Sequence, residues 1–106
     1  MKAVKIEKPW EISCIELPEP VPGEGQALIK VKAAGICGSD IGAFRGANNL
    51  VTYPRVIGHE IAGEIISISG DNPKGFQKGD RVVVDPYLFC GHCYPCSIGR
   101  TNCCTD

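Results

Sequence analysis

Five of the chain's seven cysteines fall between positions 90 and 104. The run Cys90-Gly91-His92-Cys93-Tyr94-Pro95-Cys96 sets three thiols at two-residue intervals, and Cys103 and Cys104 follow. Two residues between ligands suit a tight loop that folds several sulfurs onto one ion. Zinc favours four thiolates in a tetrahedron with bonds of about 2.3 Å, and such a closed shell leaves no position for water or substrate. The role expected of this lobe is therefore structural, with the metal ordering a segment that has little apolar core of its own. Spacing alone leaves alternatives open. The fourth ligand can be Cys103 or Cys104, His92 can replace a cysteine, or the thiols can stay free of metal. The first three cysteines also open a bacterial ferredoxin motif, but that motif continues with three residues and then Cys-Pro, whereas Thr105 follows Cys104 here.

An odd number of cysteines suits a secreted disulfide scaffold poorly. The start, Met1-Lys2-Ala3-Val4-Lys5-Ile6-Glu7-Lys8-Pro9, meets charge before a signal-peptide core can form. The expectation is a cytoplasmic protein, where clustered thiols bind metal rather than pair. Eleven basic and twelve acidic side chains leave a net charge of -1, which supplies no pull towards nucleic acid or an anionic membrane. No stretch reaches the roughly 18 apolar residues of a spanning helix. The length of 106 residues fits one domain with a modest core.

The pattern along the chain is mainly β. Strands are expected over Ala3 to Ile6, Glu11 to Leu17, Ala27 to Ala33, Ile61 to Ile68 and Arg81 to Asp85, from their apolar alternation or β-branched content. Cys14, between Ile12 and Ile15, reads as core. Pro18, Pro20, Pro22, Gly23 and Gly25 make a surface loop, and Asp71 to Gly75 and Lys78 to Asp80 are turns. Gly63 inside a strand signals a bulge or a close backbone approach. Ser39 to Phe44 is the one helix candidate, one to two turns long. Short strands with frequent Gly and Pro point to a small barrel or sandwich. Gly23-Glu24-Gly25 lacks a third glycine and follows prolines rather than a strand, so no dinucleotide fingerprint is present.

A second constellation lies in Gly35-Ile36-Cys37-Gly38-Ser39-Asp40 and Gly58-His59-Glu60-Ile61-Ala62-Gly63. Cys37, His59 and Glu60 offer S, N and O donors, a mixed set found at catalytic zinc, and three protein ligands leave the fourth position open. Asp40 can accept from the free ring N–H of His59 and fix its tautomer. Ser39 can take a proton from a hydroxyl at the open position.

With Tyr53-Pro54-Arg55-Val56-Ile57 before Gly58, Gly79-Asp80-Arg81-Val82 and the four-cysteine lobe, these stretches resemble the zinc-containing medium-chain alcohol and polyol dehydrogenases over essentially the whole chain. Val84-Asp85-Pro86, leading into Cys90 to Gly99, is most similar to the bacterial sorbitol and sugar-acid branch. The resemblance implies a GroES-like (chaperonin-10-like) small barrel. It also implies a structural zinc on Cys90, Cys93, Cys96 and Cys104, because the family ending seen here as Gly99-Arg100-Thr101-Asn102-Cys103-Cys104 uses its last cysteine. Cys37 and His59 become catalytic-zinc ligands with Asp40 behind His59. Glu60 matches a direct ligand of the polyol branch, while in other branches a later residue completes the shell. Implied partners are a small-molecule alcohol or polyol, NAD or NADP, and further copies of the chain in a dimer or tetramer. Where liver-type enzymes place a relay histidine, Gly42 stands here. The implied whole is longer, with a Rossmann domain beyond Asp106. Residues 1–106 are then an N-terminal piece, inactive alone, with its zinc lobe over about 86–106. Two other classes remain at this point, a stand-alone chaperonin-like zinc module and a ferredoxin-like carrier.

Overall fold

The computed structural model describes residues 1–106. In chain order the elements are β1 (Lys2–Lys8), β2 (Glu11–Glu16), β3 (Gln26–Ala34), α1 (Gly38–Arg45), β4 (Arg55–Val56), β5 (Ile61–Ser69), β6 (Arg81–Val83) and α2 (Tyr94–Ser97). A 3-10 turn at Thr101–Cys103 follows. The strands form two antiparallel three-stranded sheets, ordered β2-β1-β4 and β3-β5-β6.

Each sheet hangs on its central strand. Ile6 of β1 is 0% exposed and Ile65 of β5 is 2% exposed, and with Ala43 of α1 they are the buried apolar side chains. Burying an isoleucine contributes about 1.5–3 kcal/mol, so this part of the molecule has a slender core. The long β3–β5 ladder runs from Gln26↔Ser69 to Ala34↔Ile61. Gly63 lets these strands approach. A Cβ there would stand 2.5 Å from Ile29 Cγ2 and 2.6 Å from the Lys30 carbonyl oxygen. The register also shifts beside it, between Val31 and Ala33, so the close approach and the bulge expected from the sequence coincide.

Alternation decides one correction. Cys14 is exposed. In an edge strand of period two it shares the outward side with Ile12, which is 52% exposed, while Ser13 and Ile15 turn inward. The expectation that Cys14 is core therefore fails. The last strand stops at Val83, two residues short of the expected Asp85, although Val84 N–H still donates to the Ile61 carbonyl. β4, only two residues long, has no clear signal in the sequence.

Helix α1 is held against the first sheet at its C-terminal end. Trp10 N–H donates to the Phe44 carbonyl at 2.8 Å. Its ring meets Phe44 edge to face with centroids 5.4 Å apart. The Tyr53 hydroxyl donates to the Ala43 carbonyl. These contacts fix where the N-terminal turn of α1 points, and that turn carries the chemistry. No helix is long and apolar enough to cross a membrane.

Candidate metal centres

Cys37 caps α1 in an extended conformation, and its N–H donates to Asp40 Oδ2 at 2.9 Å. An acidic residue in the first turn satisfies an orphan donor and suits the positive end of the helix. Asp40, 6% exposed, is thereby locked in place. His59 arrives from the other side, on the link between β4 and β5. Gly58 precedes it at φ +116, a backbone state that disfavours side-chain-bearing residues.

The two arms meet. Cys37 Sγ lies 3.4 Å from His59 Nε2 and 3.0 Å from Ser39 Oγ, and Ser39 Oγ lies 3.5 Å from His59 Nε2. Zinc bonds of about 2.3 Å to sulfur and 2.0–2.1 Å to nitrogen at a tetrahedral angle separate S and N by about 3.6 Å, so the pair fits one ion. The other ring nitrogen, Nδ1, faces Asp40 Oδ1 at 3.6 Å, too long for a direct hydrogen bond but on the side expected of a carboxylate behind a ligating histidine. Cys37, Asp40 and His59 form a group whose donor atoms lie within 4.8 Å of one another. Glu60 is outside it. Its side chain lies against Gly35, where a Cβ would stand 3.0 Å from Glu60 Cβ.

In the cysteine lobe, Cys90, Cys93, Cys96 and Cys104 bring their sulfurs within 4.8 Å of one another. Cys90–Cys96 and Cys93–Cys104 are each 3.9 Å apart. A tetrahedron with bonds of about 2.3 Å has edges of about 3.8 Å, which this quartet matches. Local backbone explains the convergence. Cys93 caps α2 with Pro95 in its first turn, and the 3-10 turn delivers Cys104, whose N–H donates to the Thr101 carbonyl at 3.1 Å. Backbone N–H groups of Cys93 and Cys90 point at Cys90 Sγ and Cys104 Sγ at 3.3 and 3.4 Å. Cys103 is exposed and stands apart. His92 also stands outside the quartet, with Nδ1 3.1 Å from the Cys90 carbonyl oxygen and Nε2 3.1 Å from Asp106 Oδ2.

The crowding divides the thiols. A hydrogen bond from the Thr105 backbone, then one from Cys96, lowers Cys93 to about 6. Desolvation, then the neighbouring Cys93 sulfur, pushes Cys96 up to about 12. Cys104 is lowered by the Cys90 backbone N–H, then by Asp106. Backbone donors thus stabilise thiolate at two positions, as a cation-binding cluster requires.

The sequence profile of the alcohol dehydrogenase GroES-like domain matches residues 23–106. The chain belongs to this family. A zinc-type alcohol dehydrogenase-like protein of Haemophilus influenzae is 56% identical over 98% of the chain and 30% of its own length. The L-galactonate-5-dehydrogenase of Escherichia coli is 44% identical over 98% of the chain and 30% of its own length. A crystal structure of the Escherichia coli CFT073 alcohol dehydrogenase rspB, complexed with NADH, superimposes with a TM-score of 0.86 at 52% identity, covering 99% of this chain and 30% of that one. The chain thus spans about 30% of the length of these relatives. The mainly β, GroES-like fold and the dehydrogenase family expected from the sequence both stand.

Within this alcohol dehydrogenase domain a cavity of about 340 Å³ opens beside the Cys37–His59 pair, lined among others by Ser39, Asp40, Asn48, Arg55 and His59. Asn48 and Arg55 carry no sequence signal for this role, because the cavity takes residues 55–59 consecutively and no strand alternation marks them.

Proposed function

We propose that these residues are the catalytic-domain portion of a zinc-dependent, NAD(P)-linked enzyme that oxidises a secondary alcohol of a polyol or sugar acid to a ketone. The observation that carries this is the convergence of Cys37 Sγ, His59 Nε2 and Ser39 Oγ, within 3.5 Å of one another, at a cavity. Relatives named L-galactonate-5-dehydrogenase and sorbitol dehydrogenase, 44% and 43% identical, support the substrate class. The NADH-bound relative supports the hydride acceptor.

Cys37 and His59 would hold one zinc ion, with Glu60, directly after His59, as third ligand if its side chain turned from Gly35. Zinc there would supply Lewis acidity that lowers the pKa of an alcohol. Ser39 accepts the substrate's hydroxyl proton and hands it to water, since Gly42 offers no relay group. Asp40 keeps Nδ1 of His59 on its own side and Nε2 facing Cys37. Val51 and Ile57, half-buried on the cavity wall, limit water around the carbinol. Cys90, Cys93, Cys96 and Cys104 hold a second, structural zinc. The 106 residues alone turn over no substrate.

Metal analysis of the full-length protein tests this directly. Two zinc ions per chain are expected, one lost in Cys37→Ser and the other in Cys96→Ser. Ser39→Ala should keep both and lower kcat by about a hundredfold or more. One zinc per chain, or iron, refutes the reading.

A further inference from the structure

Asp40 is the one carboxylate on the wall of the cavity beside Cys37 and His59. It is spoken for: Oδ2 accepts from the Cys37 N–H and Oδ1 faces the His59 ring. The side chain of Asn48 is half committed, because Oδ1 accepts from the Leu50 N–H at 3.0 Å and leaves its NH2 group as a donor. Arg55 is the one lysine or arginine on the wall and enters none of the chain's six ion pairs. Away from the metal-ligand end, the uncommitted polar groups of this cavity are therefore donors, and one carries a full positive charge.

We propose that Arg55, with Asn48, binds the carboxylate of the substrate, so that the enzyme acts on polyhydroxy acids in preference to neutral polyols. This rests on the reading of Cys37 and His59 as the metal-binding substrate site. A guanidinium presents a planar fork that matches a carboxylate in two parallel hydrogen bonds, whereas a neutral hydroxymethyl group takes a single bond from it without the opposite charge. Spacing also suits a chain-like acid. Arg55 and His59 are four residues apart, so their Cα atoms are at most about 13 Å apart in extended backbone. Both side chains line the same cavity of about 340 Å³. One molecule can thus present a carbinol to the metal end and a carboxylate to Arg55. Arg55 is a specificity residue here, distant from the reacting atoms.

Gluconate and sorbitol share a six-carbon skeleton and differ at the carboxylate, so they are the probes. Calorimetric titration of the full-length zinc-loaded protein, without nicotinamide cofactor, should give gluconate a tenfold to about hundredfold advantage, the span expected of a charge-assisted hydrogen-bonded pair. Arg55→Met should erase that advantage by weakening gluconate far more than sorbitol, and Arg55→Lys should restore part of it. Arg55 is exposed, so these variants do not disturb the core. Equal affinity for the two probes, no gluconate binding at millimolar concentration, or an undiminished preference in Arg55→Met each overturns the proposal. A zinc count taken before titration separates the two levels. Zinc present at Cys37 and His59 with no effect of Arg55 refutes the specificity assignment alone, whereas a protein without metal there refutes the underlying reading as well.

Discussion

Replacing Cys104 by serine, with Cys103→Ser as its neighbouring control, separates two residues that the sequence places side by side. Cys104 Sγ is 3.9 Å from Cys93 Sγ and belongs to the quartet, and Cys103 does not. Structural zinc bound by small domains contributes an apparent 10–16 kcal/mol or so at neutral pH. Shared among four thiolates, that is about 2.5–4 kcal/mol each, and serine is a far poorer ligand. Zinc affinity of Cys104→Ser should therefore fall roughly a hundred- to a thousandfold, at about 1.4 kcal/mol per factor of ten. The loss should be local. No residue from 86 to 106 is fully buried, so the lobe has no apolar core to keep it ordered without metal. Competition with a chromogenic chelator measures the affinity, and hydrogen exchange reads the order of the lobe. Residues 86–106 should lose protection while β1 and β5 keep theirs. Wild-type affinity in Cys104→Ser, or an equal loss in Cys103→Ser, refutes the assignment.

Two further outcomes follow from the packing and the charge. Gly63→Ala puts a methyl 2.6 Å from the Lys30 carbonyl oxygen, a backbone atom that cannot swing aside, and should cost about 1–3 kcal/mol by thermal or urea unfolding; unchanged stability would mean that β3 and β5 are not so close. In the folded lobe the lowered Cys93 value keeps thiolate present above about pH 6 and lost below it, so protons should compete with zinc for Cys93 only as pH falls through that range. Zinc retention followed with a chromogenic chelator should hold at neutral pH and weaken towards acid; release well under way near the ordinary thiol value of about 8.5 contradicts the backbone hydrogen bonds assigned to Cys93.

Much of the site was legible because its signals are local. The two-residue spacing of Cys90, Cys93 and Cys96 announces a chelating loop whatever surrounds it, and Ser39 to Phe44 reads as a short helix within the observed Gly38–Arg45. Cys37 and His59 are harder, since neither motif says that it meets the other across 22 positions. Family resemblance joined them, and the fold shows how: α1 is fixed by Trp10 and Tyr53 while Gly58 turns the chain to bring His59 back. Cys14 misled because alternation states that a strand has two sides and leaves open which side is covered. Glu60 is the reverse case, adjacent to His59 in sequence yet turned towards Gly35 in space.

The sequence by itself determined the candidate donor types, the positions of the longer strands and the clustering of thiols from Cys90 onward, because spacing and side-chain chemistry act over a few residues. Tertiary structure alone decided that Cys14 faces outward and that Arg55 shares a cavity with His59, and it brings Cys104, the cysteine the family ending implies, rather than Cys103 beside Cys93. These depend on how separate segments are brought together, and a short strand such as Arg55–Val56 leaves almost no periodic trace of that in the chain.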